Sequence, residues 1–279
     1  MGESRAEQLG RTASHWDRQS GGALLESWWH LPRCVQHLNE MLTGSRHRDF
    51  CDLLKERFAT EPLSAAVSFG SGGCEYEERL VSSGVVRQME CWELSPERCR
   101  QARQRLASRL GDRIKVINDD FLSAAYPPAA LDMVYVHGAL HHIRELELVL
   151  DRVRQLLKPQ GLFVVDDFFG PTGMQWTEEQ LLACNRLLAV LPDHLKALVR
   201  TPDKTKSVVS RPSLQTMWGS DPSECVRSSE IHGLIAERFS VVLDRPLGGA
   251  VFHPLLSGVA GNFVGSEVGE LALEFILTI

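Results

Sequence analysis

An α/β fold with a doubly wound, mostly parallel sheet follows from three observations. From Pro62 to Phe168, short apolar runs alternate with segments whose apolar residues recur at helical spacing. The first run, Ser64-Ala65-Ala66-Val67-Ser68-Phe69, passes into a helical stretch through the turn Gly70-Ser71-Gly72-Gly73-Cys74. The second run, Gly84 to Trp92, ends in an acid, Glu93. A glycine turn between strand and helix admits a ligand close to the backbone and aims helix amides at it. An acid at the tip of the second strand suits the two hydroxyls of a ribose. The stretch therefore reads as a nucleoside-cofactor site.

The elements follow in order. Residues 1 to about 20 are polar and expected to be mobile at the start. Trp16, Trp28 and Trp29 then lie within fourteen residues. They either cover one edge of the core or cap a cofactor or acceptor, where an aromatic face suits a cation. Val35 to Leu42 and Phe50 to Phe58 have amphipathic spacing and predict helices outside the sheet. Together, residues 1–60 read as a helical extension.

The core is expected over 61–170. Cys74 to Ser83 is its first helix, with Tyr76, Leu80 and Val81 on the apolar face. Pro96 to Leu110 is a helix opened by proline and stopped by Gly111. Ile114 to Asn118 and Leu131 to His137 are the third and fourth strands. Glu145 to Leu157 is a helix closed by Lys158-Pro159-Gln160-Gly161, and Leu162 to Phe168 is the fifth strand. Beyond Gly170 the alternation stops. Residues 171–237, with a helical stretch Trp176 to Val199 and a Pro/Ser/Lys/Arg-rich run from Thr201, read as a lid insertion shaping an acceptor pocket. Phe239 to Asp244 and Ala250 to His253 flank a Pro-Leu-Gly-Gly turn and predict a hairpin. Residues 238–279 thus complete the core, with Leu271 to Ile279 a last helix or a contact surface.

Spacing selects the cofactor. The dinucleotide fingerprint wants glycine at its sixth position; counted from Gly70, that position is Glu75. Glutamates opening a helix also repel a pyrophosphate. A cationic sulfonium with a carboxylate-amine tail meets no such objection. These residues resemble the first motif of the class I S-adenosylmethionine-dependent methyltransferases, with Cys74 replacing the third glycine. Further matches follow in order: Asp120-Phe121, Leu131-Asp132-Met133-Val134-Tyr135-Val136, Ala139-Leu140-His141-His142-Ile143 and Lys158-Pro159-Gln160-Gly161. The resemblance covers about residues 60 to 170. It implies a Rossmann-like sheet of seven strands, closed by an antiparallel pair, and S-adenosylmethionine as cofactor with S-adenosylhomocysteine as product. On that reading Trp16, Phe69, Gly70, Ser71, Gly72, Glu93, Leu94, Asp120, Phe121 and His137 contact the cofactor.

Histidines with near-neutral pKa suit a general base, so His137, His142 and Asp167 are the catalytic candidates. A structural brace is the plain alternative for His141 and His142. Asp166, Asp167 and the histidines have ligand chemistry, but adjacent strand residues point to opposite faces, so no metal is assigned. Trp28, Trp176, Arg211 and His253 are candidate acceptor contacts. Lys204, Lys206 and Arg211 read as a solvated loop in preference to an anion site.

The expected function is methyl transfer to a small-molecule acceptor, first to a sugar or secondary-metabolite hydroxyl. Transfer to nitrogen or carbon, or a scaffold that has lost catalysis, are the alternatives. A net charge of -6 gives no footprint for nucleic acid. No run approaches the roughly 18 apolar residues of a membrane span. Seven scattered cysteines without a C-x-x-C pair suggest reduced thiols and a cytoplasmic location. A homodimer is left open.

Overall fold

The computed structural model describes residues 4–18 and 27–278. Their contacts form two compact units, one drawn from residues 1–21, 54–174 and 212–242, the other from 22–53, 175–211 and 243–279. The expected segments 1–60 and 171–237 each divide between these units. Gly21 and Gly22 lie outside the described residues.

The first unit holds five strands: β1 (Ala66–Phe69), β2 (Met89–Trp92), β3 (Ile114–Ile117), β4 (Leu131–His137) and β5 (Leu157–Asp166). Their order is β3-β2-β1-β4-β5, and every pairing is parallel. The order reverses between β1 and β4, and such a switch point opens a crevice at the carboxyl ends of the strands. Register aligns those ends. Phe69 pairs with Trp92, Ser68 with Tyr135, and His137 with Asp166. All four residues of β1 are buried, as its continuous small and apolar sequence requires of a central parallel strand. Asp132 pins the entry to β1 by accepting from the Ser64 and Ala65 amides at 3.1 and 2.9 Å.

Helices α4 (Glu75–Ser82), α5 (Pro96–Ala107), α6 (Leu146–Leu156) and α9 (Ile231–Arg238) also belong to this unit. Pro96 opens α5, and Ser95 caps it by accepting from the Arg98 amide. Leu146, Val149, Leu150 and Val153 bury one face of α6. The polar N-terminus is a helix, α1 (Arg5–Arg18), over most of the stretch expected to be mobile. Tertiary contacts account for it: Asp17 Oδ1 accepts from Ser95 Oγ at 2.5 Å and from the Glu97 amide at 3.2 Å, at the start of α5.

The main sheet has five strands among the described residues, where seven were expected, and the hairpin at 239–253 does not form. Val241 and Val242 are both exposed, so the run has no buried alternation to pair with a sheet. Phe252, Leu255 and Leu256 instead share the i, i+3, i+4 face of a short helix, α10 (Phe252–Leu256), buried in the second unit. An antiparallel pair does occur there, β6 (Ala197–Leu198) with β7 (Thr201–Thr205). The second unit otherwise packs α2 (Pro32–Thr43), α7 (Glu178–Val190) and α11 (Glu267–Leu277) around a core that includes Leu31, Cys184, Leu195, Phe263 and Ile276. Helix α3 (Phe50–Arg57) precedes the sheet, and α8 (Leu214–Ser220) lies in the first unit.

Candidate cofactor site

The crevice in the first unit is built from the turns after β1, β2 and β4. Gly70, Gly72 and Gly138 all take left-handed φ angles, +61°, +54° and +57°. At Gly70 a side chain is excluded twice. The φ disfavours one, and a Cβ would stand 2.4 Å from the Ala139 Cβ. Close packing of the β1 turn on the β4 turn therefore needs this glycine, in addition to ligand approach. Cys74, in place of the family's third glycine, keeps the left-handed conformation (φ 60°, ψ 31°) and is fully buried as the N-cap of α4.

Glu93 closes this loop from below. It is buried, and its two oxygens accept from the Gly72 and Ser95 amides, each at 2.8 Å. A carboxylate has about four acceptor sites, so each oxygen retains capacity for a hydroxyl. Ser71 bonds the Trp92 carbonyl through its amide at 3.3 Å, while Leu94 is half-buried. Phe69 and Phe121 stack at 4.7 Å as part of the core. Asp120 caps the Phe121–Ser123 turn by accepting from the Leu122 amide and pairs with Arg5 at 2.7 Å. Trp16 gives one ring face to the Arg98 guanidinium, 4.4 Å from its centroid. Arg98 also lies beside Gly72. Sequence reasoning did not single out Arg98, because nothing in its spacing separates it from the other arginines of α5.

The two aspartates at the end of β5, Asp166 in the strand and Asp167 just after it, part company. Asp166 Oδ2 lies 3.1 Å from His137 Nδ1, and both side chains reach solvent. The His137 ring also stacks on Tyr76 at 3.7 Å, and burial with the Asp166 charge pushes the Tyr76 hydroxyl up to about 12. Asp167 is wholly buried. It accepts from the Ala139, Leu140 and Phe168 amides at 2.7–2.8 Å and from His141 Nδ1 at 2.5 Å. With four donors and no exposed side-chain surface, the Asp167 carboxylate braces the β4 turn, which speaks against the catalytic role expected of it. Burial opposes charge on Asp167, yet His141 and the amides hold its pKa below the ordinary value. Burial likewise opposes charge on His141, but Asp167 outweighs it and lifts that pKa. Burial and the neighbouring His141 push His142 well down. His142 Nδ1 meets Ser223 Oγ at 3.1 Å.

A methyltransferase-domain family model matches residues 67–165, the span from β1 to β5. Over this span the chain resembles a methyltransferase domain. A sterol 24-C-methyltransferase of Gibberella zeae is 38% identical over 56 residues, 20% of this chain and 15% of that protein. An S-adenosylmethionine-dependent methyltransferase of Mesorhizobium loti is 22% identical, covers 45% of this chain and 57% of its own, and has a TM-score of 0.38. One from Aquifex aeolicus is 16% identical, covers 49% and 69%, and has a TM-score of 0.39. The chain thus spans less than two thirds of the sterol enzyme and of the Mesorhizobium protein.

The remaining expected contacts lie in the second unit. Trp28 and Trp176 are buried in its interior, Trp28 edge-on to Phe252 and Trp176 5.7 Å from His253. This packing fits the core alternative for Trp28. Arg211 pairs with Glu178 and bonds the Trp176 carbonyl, both at 2.7 Å. Lys206, read as a solvated charge, instead donates to the Pro254 and Ser257 carbonyls at 2.8 and 2.7 Å. Its partners lie some fifty residues away, which no local pattern reveals. All seven cysteines are free and buried, and no described helix is long and apolar enough to cross a membrane.

Proposed function

We propose that the chain transfers the methyl group of S-adenosylmethionine to a hydroxyl oxygen of a small-molecule acceptor. The methyltransferase domain supports the cofactor. Its residues also fit that molecule chemically: Glu93 retains acceptor capacity for two ribose hydroxyls, and Arg98 offers a cation beside the turn for a carboxylate tail. The cofactor supplies an activated methyl group. What this chain adds is position and a proton acceptor.

The observation that carries the oxygen reading is the His137–Asp166 pair. His137 precedes the left-handed Gly138 at the end of β4, the neighbour of β1 across the switch point. Asp166 accepts the Nδ1 proton, which leaves Nε2 as the base for a hydroxyl. In-line transfer then rests largely on holding two reactants together, worth up to about 7–11 kcal/mol of barrier. Incubation with S-adenosylmethionine and fractionated small hydroxyl compounds tests this. S-adenosylhomocysteine should form together with an acceptor that gains one methylene in mass. Formation only with amine acceptors would overturn the oxygen assignment.

A further inference from the structure

A second polar centre of the first unit lies where the segment after α8 meets the β4 turn. His15 comes from α1, His141 and His142 from the turn, and Asp221, Ser223, Glu224 and Cys225 from the chain after α8. His142, Asp221 and Glu224 each present one donor atom within 4.8 Å of the others, and so do His141, Glu224 and Cys225. Asp221 is only 6% exposed, yet its Oδ2 accepts no hydrogen bond. A buried carboxylate oxygen without a donor costs about 1–3 kcal/mol or more, so something must satisfy it.

The tautomers show what is missing. The Ser220 carbonyl can only accept, so His15 Nδ1, 3.1 Å away, carries its proton. Asp167 accepts from His141 Nδ1. Ser223 Oγ donates to Asp221 Oδ1 at 2.7 Å and therefore accepts from His142 Nδ1 at 3.1 Å. His15 and His141 thus use Nδ1 and turn Nε2 toward the carboxylates. His15 Nε2 faces Asp221 Oδ2 at 3.5 Å, and His141 Nε2 faces Glu224 Oε1 at 3.7 Å. At both places an imidazole nitrogen and a carboxylate oxygen converge, and a bound cation would satisfy both.

We propose that this centre binds one divalent transition-metal ion of the zinc class. His142, Asp221 and Glu224 form its primary ligand set, the His15 imidazole facing Asp221 is the fourth donor, and His141 flanks the site beside Glu224. Mixed imidazole and carboxylate donors suit such an ion. Two ligands of tetrahedral zinc stand about 3.4 Å apart for bonds near 2.1 Å, close to the 3.5 Å between His15 Nε2 and Asp221 Oδ2. The outer shell is present as well. Asp167 orients His141 and Ser223 orients His142, as supporting groups orient metal-bound imidazoles elsewhere. The sequence conceals the site because Asp221 and Glu224 lie some eighty residues from the histidine pair, with no ligand spacing to read. The proposal stands apart from the methyl-transfer reading, and its test uses no cofactor.

The full chain, stripped with a chelator and dialysed, is titrated with Zn2+ by calorimetry and with Co2+ by visible absorption. One ion per chain is expected, with micromolar or tighter affinity. Asp221→Asn and Glu224→Gln should each weaken binding at least tenfold, the lower end of what outer-shell changes cost. The exposed His194→Ala should leave it unchanged. Circular dichroism checks folding; Glu224 is more exposed than Asp221, so its variant reads the site should Asp221→Asn unfold. Substoichiometric Zn2+ binding, or affinity unaltered in both variants, overturns the proposal and leaves protonated imidazoles as the missing charge. A cobalt–thiolate absorption band lost in Cys225→Ser overturns the ligand assignment in favour of His141, Glu224 and Cys225.

Discussion

Glu93 Oε2, at the end of β2, accepts a hydrogen bond from the Gly72 amide at 2.8 Å, joining two turns that lie twenty-one residues apart in sequence. The carboxylate proposed to hold the ribose is therefore also the strut of the glycine loop. Glu93→Ala should lower stability by about 1–3 kcal/mol, because two backbone amides lose a charged partner. Glu93→Gln, which keeps one acceptor oxygen, should lose less. Urea unfolding of the two variants checks the order, and equal losses would show that the strut does not depend on charge.

Gly70→Ala places a Cβ 2.4 Å from that of Ala139 at a left-handed φ. It should destabilise by about 2–6 kcal/mol, the sum of backbone strain and an overpacked contact. Ala139→Gly should recover part of this in the double variant. A double-mutant cycle with no coupling would mean that only the backbone angle matters at this glycine.

Alternation and turn residues revealed the parallel sheet, and β4 runs from Leu131 to His137 as expected, because burial on both faces leaves a continuous apolar run. Glu93 was legible because a strand tip is a local position. The partners of Asp166 and Asp167 were not, since period-two alternation says that they part but not which histidine each meets. The segment 239–253 misled for a related reason. Val241 and Val242 have strand propensity but no buried face, and Phe252 satisfies helical spacing instead.

Glu77, on α4, is buried, and that burial pushes its carboxyl up to about 7 from 4.5. Between these values the unfolded chain has released the proton while the folded one retains it. The stability this group contributes is fully present below about pH 4.5 and is lost as pH rises through about 7, at most about 3 kcal/mol. Glu77→Gln should flatten that slope in urea titrations between pH 5 and 8. An unchanged slope would place the titration elsewhere.

His137→Ala should lower kcat by about 10²–10⁴ with little change in S-adenosylhomocysteine affinity, and Asp166→Asn should act in the same direction by a smaller factor. Asp167→Asn should instead destabilise by about 1–3 kcal/mol, because an amide cannot accept on both sides of the β4 turn. Turnover assays and thermal unfolding separate the two roles. A kcat loss in Asp167→Asn with stability unchanged would restore it as a catalytic group.

Cofactor binding tests the central claim most directly. Calorimetry of the intact chain should show one S-adenosylhomocysteine bound per chain, with no heat from NAD or NADP. Binding should fall at least tenfold in Glu93→Gln that circular dichroism shows to be folded, as expected for weakening a charge-assisted hydrogen bond worth about 1.5–3 kcal/mol. Heat from NAD at similar concentration, or no S-adenosylhomocysteine binding by the folded protein, would contradict the methyltransferase account.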